Sequence, residues 1–217
     1  MGVSTSLPYL RIEPNTRNWT TCHEKSTRKL ESPCGTEDDD GEFIVAWSAK
    51  PSKDHFCFEV KKSERAFVFE GGRFLGEVPE PGSYKFERKS GVSITWVWKN
   101  PFKMEYGVPK SINVVSKDGK PLGFHGEATL LVEEGEKFVN QFSRQQKVTT
   151  GTLKELVLGD IIDAFRKLIR DMDKEEFMAK RSDEMFLKEI VDRLYPLFEA
   201  YGIGITNITI MGFASDC

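Results

Sequence analysis

The chain has 217 residues, with 31 Lys and Arg against 34 Asp and Glu, a net charge of −3 and 39% hydrophobic residues. That composition is ordinary for a soluble globular protein able to bury the core of one or two domains, and it argues against a nucleic-acid-binding surface spread over the whole chain. No apolar run approaches the ~20 residues that span a bilayer, and no signal-peptide core follows the start, so the expected compartment is cytosolic.

The first 42 residues read as an irregular N-terminal arm. They carry Pro8, Pro14 and Pro33, many Ser and Thr, and the acidic run Glu37-Asp38-Asp39-Asp40, with no apolar period. Met1-Gly2-Val3-Ser4-Thr5-Ser6 fits the short N-myristoylation pattern, which makes Gly2 a lipidation candidate. One acyl chain anchors only marginally, so a second membrane signal would be needed. The sequons at Asn18-Trp19-Thr20 and Asn207-Ile208-Thr209 read as chance matches without a secretory signal. The four cysteines (Cys22, Cys34, Cys57 and Cys217) lack close C-x-x-C pairs and suit a reducing compartment, so they read as structural or incidental thiols. Cys22 and His23 with Cys34 would give a metal only three donors close in sequence.

From residue 43 to 133 the pattern is β. Strands are expected over 43–47, 56–60, 66–70, 73–78, 83–87, 92–98, 104–108, 111–115 and 122–132. Gly71-Gly72 reads as a tight primed-turn hairpin, and Pro79-Glu80-Pro81-Gly82 and Asp118-Gly119 as further turns. After Glu133 the period becomes helical. Short helices are expected over 136–142 and roughly 174–181, the latter opened by Asp173 with Glu176. A longer helix is read from a capping box at Thr152-Leu153-Lys154-Glu155. Ser182 is then expected to cap a helix whose apolar stripe is Phe186, Ile190, Leu194, Leu197, Phe198 and Tyr201. Pro196 predicts a bend or a restart, and Gly202 a left-handed stop before the strand Ile203, Ile205, Ile208, Ile210. Strands first, then helices, then a returning strand give an α+β fold: a mostly antiparallel sheet or partial barrel, with residues 134–217 as a helical second half.

Catalytic signals are sparse. No phosphate-binding loop and no G-x-S-x-G elbow occurs. His23, His55 and His125 are far apart, and Cys57 with His125 is the only nucleophile–base pair that can be assembled. Trp96, Trp98 and Phe102 are candidate membrane-interface aromatics, although the core of the sheet is the simpler reading. No residue is singled out for catalysis, cofactor or metal.

Residues from about 43 to 213 resemble the SPFH (stomatin–prohibitin–flotillin, or band 7) superfamily, and within it the bacterial virion core protein-like branch. The resemblance is carried by SERAFVFEGGRFLGEVPEPGSYKF at 63–86, Ile94-Thr95-Trp96-Val97-Trp98, Val114 to Gly119, Gly126 to Leu130, Lys137-Phe138-Val139, and Tyr201 to Ile210. It implies a non-enzymatic scaffold without cofactor, which associates peripherally with a membrane and organises or regulates protein partners through oligomerisation, without nucleic acid. The chain departs from many relatives. It lacks an N-terminal hydrophobic hairpin, and it stops at Cys217 before any coiled coil, which puts ring assembly in doubt. A soluble cytosolic adaptor built on the same domain is the alternative, and an enzyme using Cys57 and His125 the remote one.

Overall fold

The computed structural model describes residues 19–21, 29–51, 57–86, 91–112 and 114–214. In chain order the strands are β1 (Trp19–Thr21), β2 (Lys29–Leu30), β3 (Ile44–Ala49), β4 (Cys57–Val60), β5 (Glu64–Glu70), β6 (Arg73–Val78), β7 (Gly82–Phe86), β8 (Val92–Trp98), β9 (Phe102–Val108), β10 (Val114–Val115), β11 (Pro121–Leu122), β12 (Phe124–Val132), β13 (Lys147–Thr149) and β14 (Ile203–Phe213). The helices are α1 (Gly135–Gln141), α2 (Thr150–Ile169), α3 (Lys174–Ala179) and α4 (Glu184–Glu199).

The architecture is α+β, with antiparallel sheets and no closed barrel. The largest sheet has the order β13-β3-β8-β5-β6, a second β14-β12-β9, a third β1-β7-β4-β2, and β10 pairs with β11. Among the described residues every pairing is antiparallel except β2 with β4. The β5–β6 hairpin turns at Gly71 and Gly72 with φ of 58° and 84°, the pair of positive values a type I′ turn demands.

Alternation along the five-stranded sheet splits the core in two. Ala66, Val68, Ile94 and Trp96 point to one face and pack with Phe58 and Val60 of β4. Phe67, Phe69 and Val97 point to the other and join the main core, which contains α1, α2, α4 and the inner face of β9-β12-β14. Arg65 ties the five-stranded sheet to the three-stranded one. Its guanidinium donates to the carbonyls of Val132 (2.5 Å) and Glu133 (3.3 Å) at the end of β12.

Several sequence expectations shift. Residues 1–42 are not wholly irregular, since β1 pairs with β7 and β2 with β4. Residues 110–112 form a single 3-10 turn, leaving only Val114–Val115 of the strand expected over 111–115. The edge strand β13 carries no periodic signal in three residues.

The helix caps move as well. Helix α2 starts three residues early. Thr149 is its cap, and Thr152 occupies the reciprocal position expected of Glu155. Asp183, not Ser182, caps α4, its carboxylate accepting from the backbone N–H groups of Met185 (2.9 Å) and Phe186 (3.1 Å). Asp173 sits at the cap position of α3, but its side chain makes no cap bond. The Lys174 N–H donates to Asp118 instead (3.1 Å), on the turn before β11. Ser116 and Lys120 also donate to Asp118, and these bonds hold its carboxyl below the usual carboxylate range.

Helix α4 runs through Pro196 without a restart, because a proline in the last turn removes one backbone bond near an end that is already incomplete. Leu197, expected in the apolar stripe, is exposed. Gly202 stops the chain as read, at φ 76°, and a Cβ there would lie 2.5 Å from the Glu134 carbonyl oxygen. The Gly202 carbonyl accepts from Glu133 N–H (3.0 Å) and Glu134 N–H (3.2 Å), which delivers β14 against β12.

Candidate functional site

Gly2 lies outside the described residues. Trp96 and Phe102 are buried in the core, Trp96 completely, and Trp98 is half-buried with its ring edge-on to Phe43. In this conformation their rings serve packing. Cys57 is disulfide-bonded, so its sulfur is no thiolate nucleophile, and His125 stands exposed on β12 with its ring across Gly212. The conceivable Cys57–His125 pair is thereby removed. The disulfide also departs from the expectation of unpaired thiols in a reducing compartment. Among the described residues, no group of three or more His, Cys, Asp and Glu is placed to hold a metal ion. Cys34 is free and buried, its S–H donates towards the Trp96 carbonyl (3.6 Å), and burial pushes its thiol up to about 12, which makes it inert near neutrality.

Two features were not singled out from the sequence. The first is Glu64, fully buried at the start of β5. Its Oε2 accepts from the Lys61 N–H (3.0 Å), and its Oε1 lies 3.6 Å from the Lys61 ammonium without a hydrogen-bond partner among the described residues. The Lys61 ammonium also donates to the Ser32 carbonyl (2.6 Å), so Glu64 and Lys61 together fasten the segment around Ser32 to the sheet. Burial raises the Glu64 carboxyl above its usual range, outweighing the Lys61 interactions that lower it. The folded chain thus holds this proton more tightly than the unfolded chain. Stability from Glu64 is full below the unfolded carboxyl value (~4.3) and falls as pH rises through the raised folded value. Glu64→Gln should therefore give a flatter stability-versus-pH profile over that window, read from urea midpoints at a series of pH values. Parallel profiles for the two proteins would refute this reading.

The second feature is a groove of about 860 Å³ over one end of the five-stranded sheet. Its floor is formed by Ser48, Ser93, Thr95 and Phe69, and its overhanging wall by Asn140, Ser143, Arg144, Gln145 and Gln146 from the end of α1 and the turn into β13. Ser48 and Thr95 are cross-strand partners whose hydroxyls bond at 2.8 Å. The Ser48 N–H donates to the Gln146 carbonyl (2.7 Å), which fixes the wall to the floor. Among the described residues, the groove offers hydroxyls, amides and cations, and none of its hydroxyls is bonded to a neighbouring base.

Residues 58–211 match the family model described as SPFH domain / Band 7 family, a span covering more than half of the 217 residues. The chain belongs to the SPFH domain / Band 7 family. No curated protein matches it in sequence. Members of the SPFH family are generally membrane-associated, non-enzymatic and oligomeric. The matched span of this SPFH domain runs from β4 to β14 and so takes in all four helices.

Proposed function

We propose that this SPFH protein is a scaffold that attaches peripherally to a membrane and organises or regulates partner proteins through self-association. The family match over residues 58–211 carries the reading. No helix of the described residues is long and apolar enough to cross a membrane, and the proposed attachment is peripheral, with Gly2 as the lipidation candidate. Met185, Leu197 and Met211 are exposed apolar side chains on α4 and β14, available to a partner. Within the family, the segments at 63–86 and 201–210 support placement near the bacterial virion core protein-like branch.

Liposome flotation of the protein isolated from its own cell, with mass spectrometry of its N-terminus, tests attachment. The expected result is flotation that Gly2→Ala weakens at least about tenfold, since an acyl chain supplies most of the binding energy at a marginal anchor. Failure of the isolated protein to float would leave the soluble adaptor as the better reading. The cytoplasmic face is the proposed location, although a disulfide such as that of Cys57 is rare in reducing compartments. Protease protection in intact cells tests it, and digestion by protease added outside would overturn that part.

A further inference from the structure

We propose that the groove between β3–β8 and the turn after α1 binds a phosphorylated polyol. The inference does not depend on membrane attachment. It begins with a change of chemistry along one sheet face. Towards the main core that face presents Phe67 and Val97, and one pair further along β8 and β3 it presents Thr95, Ser93 and Ser48. Hydroxyls at a sheet end that merely faced water would be exposed. Thr95 is only 8% exposed and sits under the overhang. The Ser48–Thr95 bond consumes one of the two hydroxyl hydrogens and leaves the other available to a ligand.

The wall is preformed. Gln146 is held by Ser48, and the Gln145 N–H donates to the Phe142 carbonyl (2.9 Å). A volume of about 860 Å³ falls within the range of small-molecule sites, and it is far more than one inorganic anion fills.

Charge narrows the ligand. Lys50 and Arg144 line the groove, and among the described residues no Asp or Glu does, in a chain where acidic residues outnumber basic ones. Two cations without a carboxylate select an anion, and a guanidinium suits the forked geometry of phosphate. The remaining polar lining, three floor hydroxyls with Asn140, Ser143, Gln145 and Gln146, both donates and accepts. An apolar ligand would strip water from these groups and return no hydrogen bonds. A hydroxyl-rich ring or chain satisfies them. Phe69, Ala49 and Val139 supply apolar surface for its C–H face. A free sugar or inositol phosphate and the headgroup of a phosphorylated glycolipid share this chemistry.

The test titrates the full chain with inositol monophosphate, unphosphorylated inositol and inorganic phosphate by calorimetry, and in parallel sediments it with vesicles of phosphatidylcholine with or without phosphatidylinositol phosphate. The expected result is saturable binding of the phosphorylated polyol, free or on vesicles, at least about tenfold tighter than either part alone. Arg144→Ala should weaken it at least about tenfold, and Ser48→Ala several-fold, with melting temperatures close to wild type. Binding to vesicles alone, lost in Arg144→Ala, assigns the lipid headgroup. Binding of the soluble compound assigns the free phosphate. Absence of binding in both arms, or binding that neither Arg144→Ala nor Ser48→Ala changes, overturns the proposal.

Discussion

Gly126→Ala should destabilise the protein by at least ~3 kcal/mol, the range in which a forced backbone shift adds to a broken buried bond. Gly126 lies on β12, between β9 and β14, opposite Tyr106 and Ile210. A Cβ there would lie 1.8 Å from the Thr209 carbonyl oxygen and 2.7 Å from the Tyr106 hydroxyl. That hydroxyl donates to the same Thr209 oxygen (2.9 Å), and burial raises it well above the usual phenol range. One methyl group would therefore push β14 off the sheet and unseat the bond that fastens β9 across β12 to β14. The Thr209 carbonyl cannot yield by a rotamer change, since it is backbone. Gly107→Ala is the control. It lies on the neighbouring strand, and a Cβ there meets nothing within 4 Å. Urea unfolding of the two variants side by side decides the matter, and equal midpoints would refute the close approach. Tyr106→Phe separates the two contributions and should cost about 1 kcal/mol.

Hairpins, long strands and amphipathic helices were legible because period and turn chemistry are local. Residues 73–78, read from the glycine pair before them, and 92–98, read from their alternation, are strands at those boundaries. The four isoleucines of β14 show a subtler signal. Ile203 and Ile205 are odd-numbered, Ile208 and Ile210 even-numbered, so strict alternation cannot bury them all. All four are buried, because the register skips Thr206 between the pairs Leu130–Ile205 and Thr129–Asn207. The parity change was present in the sequence and is the mark of a bulge. The second skip, at Met211, leaves that side chain 60% exposed, and no pattern announced it.

What the sequence did not reveal depends on distant partners. Asp118 supplies the N-terminal bond of α3 from 56 residues away, so the local cap signal at Asp173 pointed to the right place for the wrong reason. The groove was unreadable for the same cause. Ser48, Thr95 and Arg144 belong to three separate elements, and in one dimension each is an ordinary polar residue. Trp96 and Trp98, two indoles in a five-residue window, were conspicuous, and the fold buries the first fully and the second by half. The family resemblance rested on the order of motifs, which survives when the chemistry of a site does not repeat in sequence.

Phe177→Ala should cost ~3–5 kcal/mol, the range for truncating a buried aromatic ring. Phe177 is fully buried although it sits on α3, a helix of six residues. So short a helix has no stability of its own and exists through its contacts. The ring of Phe177 reaches Phe124 on β12 (5.3 Å), Phe213 on β14 (5.6 Å), Phe186 on α4 (6.0 Å) and Phe165 on α2 (6.4 Å), mostly edge-to-face. It is the point where α3 joins every element around it, so its removal opens a cavity that no single neighbour can fill. Phe177→Leu keeps most of the volume and should cost less than half as much. Asp118→Asn weakens the exposed cap of α3 together with the Ser116 and Lys120 bonds on the same turn, and should cost no more than about 1 kcal/mol. Amide exchange across residues 174–179 then separates the roles. Loss of protection should be large in Phe177→Ala and small in Asp118→Asn. If Phe177→Ala unfolds within about 1 kcal/mol of wild type, α3 is a surface flap and the aromatic cluster is not what holds α2, α4 and β14 together.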